Sequence, residues 1–268
     1  MAAVKRRDFL RLGLSGLVLA GCTPDPAGSG AAPPLRVGME LSYPPFEMSD
    51  EQGRPAGVSV DLARALAEHL GRALVIENIP FDGLIPALRT GRIDLVISSM
   101  TATPARAKAI AFSEPYARIG LCLLAGRDSP VRSLADADAP GRVIAVKQGT
   151  TGHLYATANF KHAKLLVLDK ESSAVLEVAQ GKADAFIYDQ LSAWQNGRRH
   201  PDTTRAILAP FQTEAWAIGL RQGDDALRTQ VNDFLRAFKA GGGFERLGDR
   251  WLAEARAAFQ AQGIPFVF

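Results

Sequence analysis

Arg106 follows Thr103-Pro104 by two positions, a pairing that suits the start of a helix. Threonine caps the first turn, and proline fits the position where no amide is needed. A guanidinium there, just after a buried strand ends, offers a planar fork that matches a carboxylate. Strand C-terminal ends are also where open α/β sheets keep ligands. Taken alone, Arg106 leaves a solvated surface role open. Gly149-Thr150-Thr151-Gly152 precedes a short helical pattern, and amides at such an N-terminus suit an anion. No Gly-Lys-Ser/Thr follows, so the segment is not a nucleotide loop. His69, His153, His162 and His200 are scattered without metal-ligand spacing, so neither a metal site nor a cofactor is expected. Cys122 lies in the apolar run Ile119–Leu124 and reads as a small buried thiol.

Cys22 reads differently. Arg6-Arg7-Asp8-Phe9-Leu10 opens a cationic segment, a short apolar stretch follows, and Leu19-Ala20-Gly21-Cys22 closes it. This is the layout of an export signal of the twin-arginine type, ending in a lipobox with cleavage before Cys22 and lipid on its sulfur. The stretch Leu12–Ala20 is too short to span a bilayer. Residues 1–21 are expected as the signal, and residues 22–34, rich in Pro, Gly and Ala, as a flexible lipidated tether. The signal holds four of the 31 basic residues and one of the 28 acidic ones, leaving 27 of each in the remaining 247 residues. The apparent basicity belongs to the signal, and no nucleic-acid partner is expected. The location is periplasmic or extracytoplasmic, with a lipid tie to the membrane.

The elements that must position Arg106 and the glycine turn fall into two similar units. Hydrophobic periodicity predicts strands at 35–39, 73–78 and 93–98, with helices at 60–70 and 83–90. A second set of strands is predicted at 142–146, 165–168 and 183–187, with helices at 152–159 and 172–180. Leu88–Leu95 and Val178–Ala185 look like counterparts, each a helix stopped by glycine and then an Asp entering a strand. A strand at 215–220 and helices at 225–240 and 244–259 close the chain. This implies an α/β chain of two lobes with a cleft between them, where small ligands bind.

Six segments carry a resemblance to a known family. They are Val37–Glu47 (with Tyr43-Pro44-Pro45-Phe46-Glu47), Gly57–Ala63, Phe81–Leu88, Ser98–Arg106 and, in the second half, Val146–Gly152 with Ala185–Asp189. The chain resembles the periplasmic polar amino-acid-binding proteins of ABC importers, the group with the lysine/arginine/ornithine, histidine and glutamine binders. The resemblance implies the two-lobe periplasmic binding protein fold, each lobe an α/β sandwich with the ligand cleft between. It places lobe 1 at residues 35–118 plus 216–268 and lobe 2 at 121–213. It also assigns roles. Arg106, helped by Thr101, Thr150 and Thr151, would take the ligand carboxylate. Asp189 would take the ammonium, with Ser98 and Ser99 supplying mainly backbone groups. Tyr43 and Phe81 would sandwich the ligand side chain. Glu40 would stand at the far end of the pocket, and Lys147, if it points inward, resembles the glutamine binder.

The expected function is capture of glutamine or a basic amino acid by lobe closure and delivery to an ABC importer permease by a monomer. A sensory module for a membrane signalling partner is the alternative, and behind it a dehydratase-like enzyme on the same fold. The chain is expected not to be an enzyme, because Glu40 is the only pocket carboxylate left unassigned.

Overall fold

The computed structural model describes residues 32–268, so the signal and Cys22 lie outside the described residues. Strand β1 (Leu35–Met39) leads to a three-stranded flap of β2 (Ser42–Tyr43), β3 (Glu47–Ser49) and β4 (Pro55–Ala56). Helix α1 (Val58–His69), β5 (Leu74–Asn78), α2 (Leu84–Arg89) and β6 (Leu95–Val96) complete the first unit. A one-turn helix α3 (Pro104–Ala107) precedes the long strand β7 (Ala111–Gly126). The second unit runs α4 (Leu134–Ala137), β8 (Val143–Lys147), α5 (Thr151–Asn159), β9 (Lys164–Leu168), α6 (Glu171–Ala179), β10 (Ala185–Asp189) and α7 (Gln190–Arg199). Strand β11 (Thr204–Leu220) then returns, and α8 (Asp225–Ala240), α9 (Gly243–Trp251) and α10 (Ala253–Ala261) follow.

The strands join in the order β5-β1-β6-β11-β7-β10-β8-β9. Parallel strands lie at both ends, and the antiparallel pair β7 and β11 lies in the middle. Strand β11 pairs with β6 of the first unit through Gly219–Leu220. Strand β7 pairs with β10 of the second unit through Leu121–Ala125. The result is two mixed α/β lobes that share two continuous strands, the periplasmic binding protein fold.

Alternating residues explain why helices cover both faces of each lobe. In β10, Ala185 and Ile187 enter one core with Ala137 of α4 and Ala156 of α5, while Phe186 enters another with Val175 and Val178 of α6. In β6, Leu95 packs toward α1 and α8, and Val96 toward α2.

The internal repeat is visible in hydrogen bonds. Asp94 accepts the Arg36 amide at 3.0 Å and pairs with its guanidinium at 2.8 Å. Asp184 accepts the Val143 amide at 2.8 Å and pairs with Arg142 at 3.2 Å. Each aspartate fastens the entry of one strand to its neighbour, three residues after a glycine of positive φ that ends a helix (Gly91 at 76°, Gly181 at 70°).

The expected elements need five corrections. Strand 93–98 shrinks to β6, because Ser98 to Thr101 turn away to form the site. Strand 215–220 is the end of a 17-residue strand, and β7, 16 residues long, was not anticipated. Helix 244–259 breaks at Leu252 into α9 and α10. Helix α7 was also missed, and Asp189 caps it.

Burial works against ionisation of Asp94, yet the Arg36 side chain and amide outweigh it and hold the carboxyl below its ordinary range. Asp94→Ala is expected to cost about 1.5–3 kcal/mol, the worth of hydrogen bonds to a charged group, read as a lower urea midpoint. Asp184→Ala should cost less, since its side chain is 20% exposed against 9% for Asp94.

Candidate functional site

All eleven residues singled out for the ligand line one cavity between the lobes: Glu40, Tyr43, Phe81, Ser98, Ser99, Thr101, Arg106, Lys147, Thr150, Thr151 and Asp189. The cavity is narrow, with a free volume of about 40 Å³. Strand ends place most of the polar groups. Glu40 follows β1, Ser98 to Thr101 follow β6, Lys147 and Asp189 end β8 and β10, and Thr150 opens α5.

Thr103 caps α3 as its sequence suggests, accepting the Arg106 amide at 3.2 Å with Pro104 in the first position. Arg106 is thereby turned inward and buried. Its guanidinium donates to the Thr101 carbonyl at 2.8 Å and to the Gly149 carbonyl, on the other lobe, at 3.0 Å. It lies over the Phe81 ring, 5.3 Å from the centroid. Two of its five donors are committed to these carbonyls. Burial pulls the guanidinium down to about 10, opposed by the nearby charge of Glu214, so it stays cationic at neutral pH.

Asp189 Oδ1 accepts the amides of Leu191 and Ser192 at 3.0 and 3.1 Å. The helix cap uses that oxygen, and Asp189 also lines the cavity. Burial pushes this carboxyl up to about 6 against those amides. Tyr43 stands beside it, stacked on Phe46 at 5.4 Å and edge-on to Tyr188 and Trp216. Its buried hydroxyl has no hydrogen-bond partner of good geometry among the described residues.

Lys147 points inward. Its ammonium pairs with Glu40 Oε2 across the cleft, and it lies 5.6 Å from the Phe81 centroid with the side chain 1% exposed. Glu40 therefore meets a cation supplied by the protein, where the sequence suggested a far end open to the ligand. Thr150 caps α5, donating to the Lys147 carbonyl at 2.7 Å.

Thr101 and Thr151 both donate to Glu214 Oε2, at 2.8 and 2.9 Å. The Thr101 hydroxyl, expected on a ligand carboxylate, thus holds a protein carboxylate. The Ser98 hydroxyl accepts the Glu40 amide at 3.0 Å and lies 3.4 Å from Glu47 Oε1. Ser59 and Ser99 hydroxyls hydrogen-bond Glu47 Oε2 at 2.6 and 3.1 Å. Burial lifts Glu47 to about 8 despite these bonds, so it is protonated at neutral pH.

Glu47 and Glu214 line the cavity and were missed. Glu47 could have been found: it is a carboxyl directly after Pro44-Pro45-Phe46, within an apolar motif. Trp216 also reaches the cavity. A Cβ at Gly152 would come within 2.8 Å of the Ile187 side chain and carbonyl, so the turn packs closely on β10.

Residues 35–254 match the bacterial extracellular solute-binding proteins, family 3. The chain belongs to that family. It is similar to the ABC transporter arginine-binding protein 1 of Escherichia coli, 28% identical over 231 residues that cover 85% of this chain and 94% of the relative. It is similar in structure to an ancestral arginine-binding protein bound to arginine, with a TM-score of 0.77 and 32% identity over 83% of this chain and 99% of the other. It is also similar to the cyclohexadienyl dehydratase of Pseudomonas aeruginosa, 30% identical over 221 residues, 81% of this chain and 82% of the relative.

The last similarity overturns the expectation that the chain is not an enzyme. A relative this similar over most of both chains is a dehydratase, so family and fold do not separate binding from catalysis. The ground for the exclusion also fails, because Glu40 shares the cavity with Glu47 and Glu214.

Glu47 has a folded value near 8 against 4.5 for an ordinary glutamate. Between those values the folded state holds a proton that the unfolded chain has released, so stability falls as pH rises. Glu47→Gln should flatten the decline in urea-unfolding free energy between about pH 5 and 8 by about one proton's worth of slope. Parallel curves for the two proteins would show that Glu47 is not protonated in the fold.

Proposed function

We propose that this protein is an extracytoplasmic receptor that captures a polar L-amino acid, glutamine or a basic amino acid, by closing its two lobes and delivers it to an ABC importer. One observation carries this reading. Arg106 with uncommitted donors and Asp189 with an uncommitted oxygen face one cavity from opposite lobes, beside the aromatic rings of Tyr43 and Phe81. A free amino acid presents a carboxylate and an ammonium on one carbon, and these groups complement both. Lobe 1 comprises residues 35–118 plus 216–268 and lobe 2 residues 121–213, with a hinge where β7 and β11 run side by side between them. Closure would replace water around the ligand's charges with fixed partners. The relatives support the ligand class: one is an arginine-binding protein of an ABC transporter, and another was solved with arginine.

The N-terminal signal supports the location. We read Cys22 as the lipidated residue that ties the receptor to a membrane, after export by the twin-arginine route. Among the described residues no helix is long and apolar enough to cross a membrane.

A thermal-shift screen of the twenty amino acids with ornithine and citrulline tests the function, because a ligand that binds only the folded state raises apparent stability. The leading hit should carry a side chain of glutamine, lysine or arginine length. A leading hit of aspartate, or no hit at all, would remove the reading. By calorimetry, Arg106→Ala and Asp189→Ala should each weaken that hit more than tenfold, as truncating one partner of a desolvated charge pair costs about 2–5 kcal/mol.

Cys22→Ala should move the protein from the membrane to the soluble fraction of cells. A wild-type protein that is already soluble would exclude the anchor.

A further inference from the structure

Glu214 lies in β11 where that strand passes between the lobes, and it is 5% exposed. One carboxylate oxygen accepts hydroxyls from both lobes, Thr101 and Thr151, and the other accepts the Gln212 side-chain Nε2–H at 3.1 Å. The carboxylate makes no ion pair within 4 Å among the described residues, yet its charge is felt at both Arg106 and Asp189. It is a fixed anion in the midst of the groups that face the ligand.

The charges of the cavity wall do not cancel. Arg106 and Lys147 are the cations that line it, and Glu40, Asp189 and Glu214 are carboxylates. Lys147 is consumed by Glu40, and Arg106 balances one of the remaining two. Glu47 is the other carboxyl of the wall; counting it as ionised deepens the excess. Glu171, buried behind Asp189 and bound by Ser192 and Asn196, acts in the same direction, and Tyr43 and Tyr188 carry no charge at neutral pH. A zwitterion leaves this excess untouched, whereas a ligand with one additional positive charge neutralises it. In a desolvated cleft such an imbalance is weakly screened.

The geometry points to Glu214 as a specificity-determining residue, an internal carboxylate held by hydroxyls of both lobes that selects amino acids of net positive charge over neutral ones of the same shape. This rests on the receptor reading above and narrows it to basic amino acids, with glutamine and citrulline disfavoured. Selection by Glu214 acts through charge, so it separates from its hydrogen bonds. Glutamine at 214 keeps an acceptor for Thr101 and Thr151 and loses the charge, and aspartate keeps the charge on a shorter stem.

The test is calorimetry at neutral pH with arginine and citrulline, which differ in charge and barely in shape. Wild-type protein should bind arginine at least about tenfold more tightly than citrulline, and glutamate more weakly than either. Any other order in the wild type overturns the inference with no variant needed. In Glu214→Gln the arginine-to-citrulline ratio should narrow about tenfold, while Glu214→Asp should keep it. A ratio unchanged in Glu214→Gln, or moved as far by Glu214→Asp, would show that charge at this position does not select. If wild-type protein binds no amino acid, the receptor reading falls and this inference with it. If both ligands bind and the ratio stays put, only the inference falls.

Discussion

Strands β7 and β11 pair antiparallel from Ala111 and Leu220 at one end to Gly126 and Thr204 at the other, with irregularities where the register shifts. Each lobe adds its own parallel strands to this ribbon, β6 with β1 and β5 on one side, β10 with β8 and β9 on the other. Most polar groups of the cavity sit at or soon after the end of a strand of this sheet, or on the ribbon itself, while Tyr43 and Glu47 come from the flap. Backbone hydrogen bonds within the ribbon therefore set how far apart Arg106 and Asp189 stand. The ribbon is also pinned from outside, where the Arg118 amide donates to the Val267 carbonyl of the C-terminal segment at 2.8 Å.

Charges buried between the lobes are costly unless paired, and the site satisfies them in three ways. Lys147 and Glu40 pair directly across the cleft. Asp189 and Glu214 are held by hydrogen bonds, from the first amides of α7 and from hydroxyls of both lobes. Glu47 keeps its proton. Lys147 with Glu40, and Glu214 with Thr101 and Thr151, draw on groups far apart in the chain, so lobe packing and cavity electrostatics are coupled. A cavity wall that already holds fixed charges and a protonated carboxyl is also the kind of environment in which acid–base chemistry can arise. That gives a physical reason why a receptor fold and a dehydratase can be relatives.

The repeat of helix, glycine and Asp was legible because it is local. Asp94 and Asp184 each act on the strand they open, and glycine three residues earlier tolerates the positive φ that ends the helix. Arg106 was legible for a similar reason, since Thr103 and Pro104 signal a helix start from adjacent positions. The long strands were not. Strand β7 contains Pro115 with Glu114 and Arg118, and β11 contains Pro210, features that argue against a central strand. Their pairing tolerates these residues because the register shifts around them. Helix α7 was hidden because Asp189 reads equally as a ligand group and as a cap, and it serves the cap with one oxygen.

The residue types alone determined the alternation of strands and helices, the duplication and the cationic start of the chain. Those properties follow from periodicity and from motifs whose members are neighbours in the chain. Only the tertiary structure decided which partner each side chain finds. Lys147 turns inward because Glu40, 107 residues earlier, waits across the cleft. Glu214 joins the site because its partners Thr101 and Thr151 lie 113 and 63 residues away. Nothing in the sequence near Glu214 marks it, since contact at such separation is set by how the two long strands cross between the lobes.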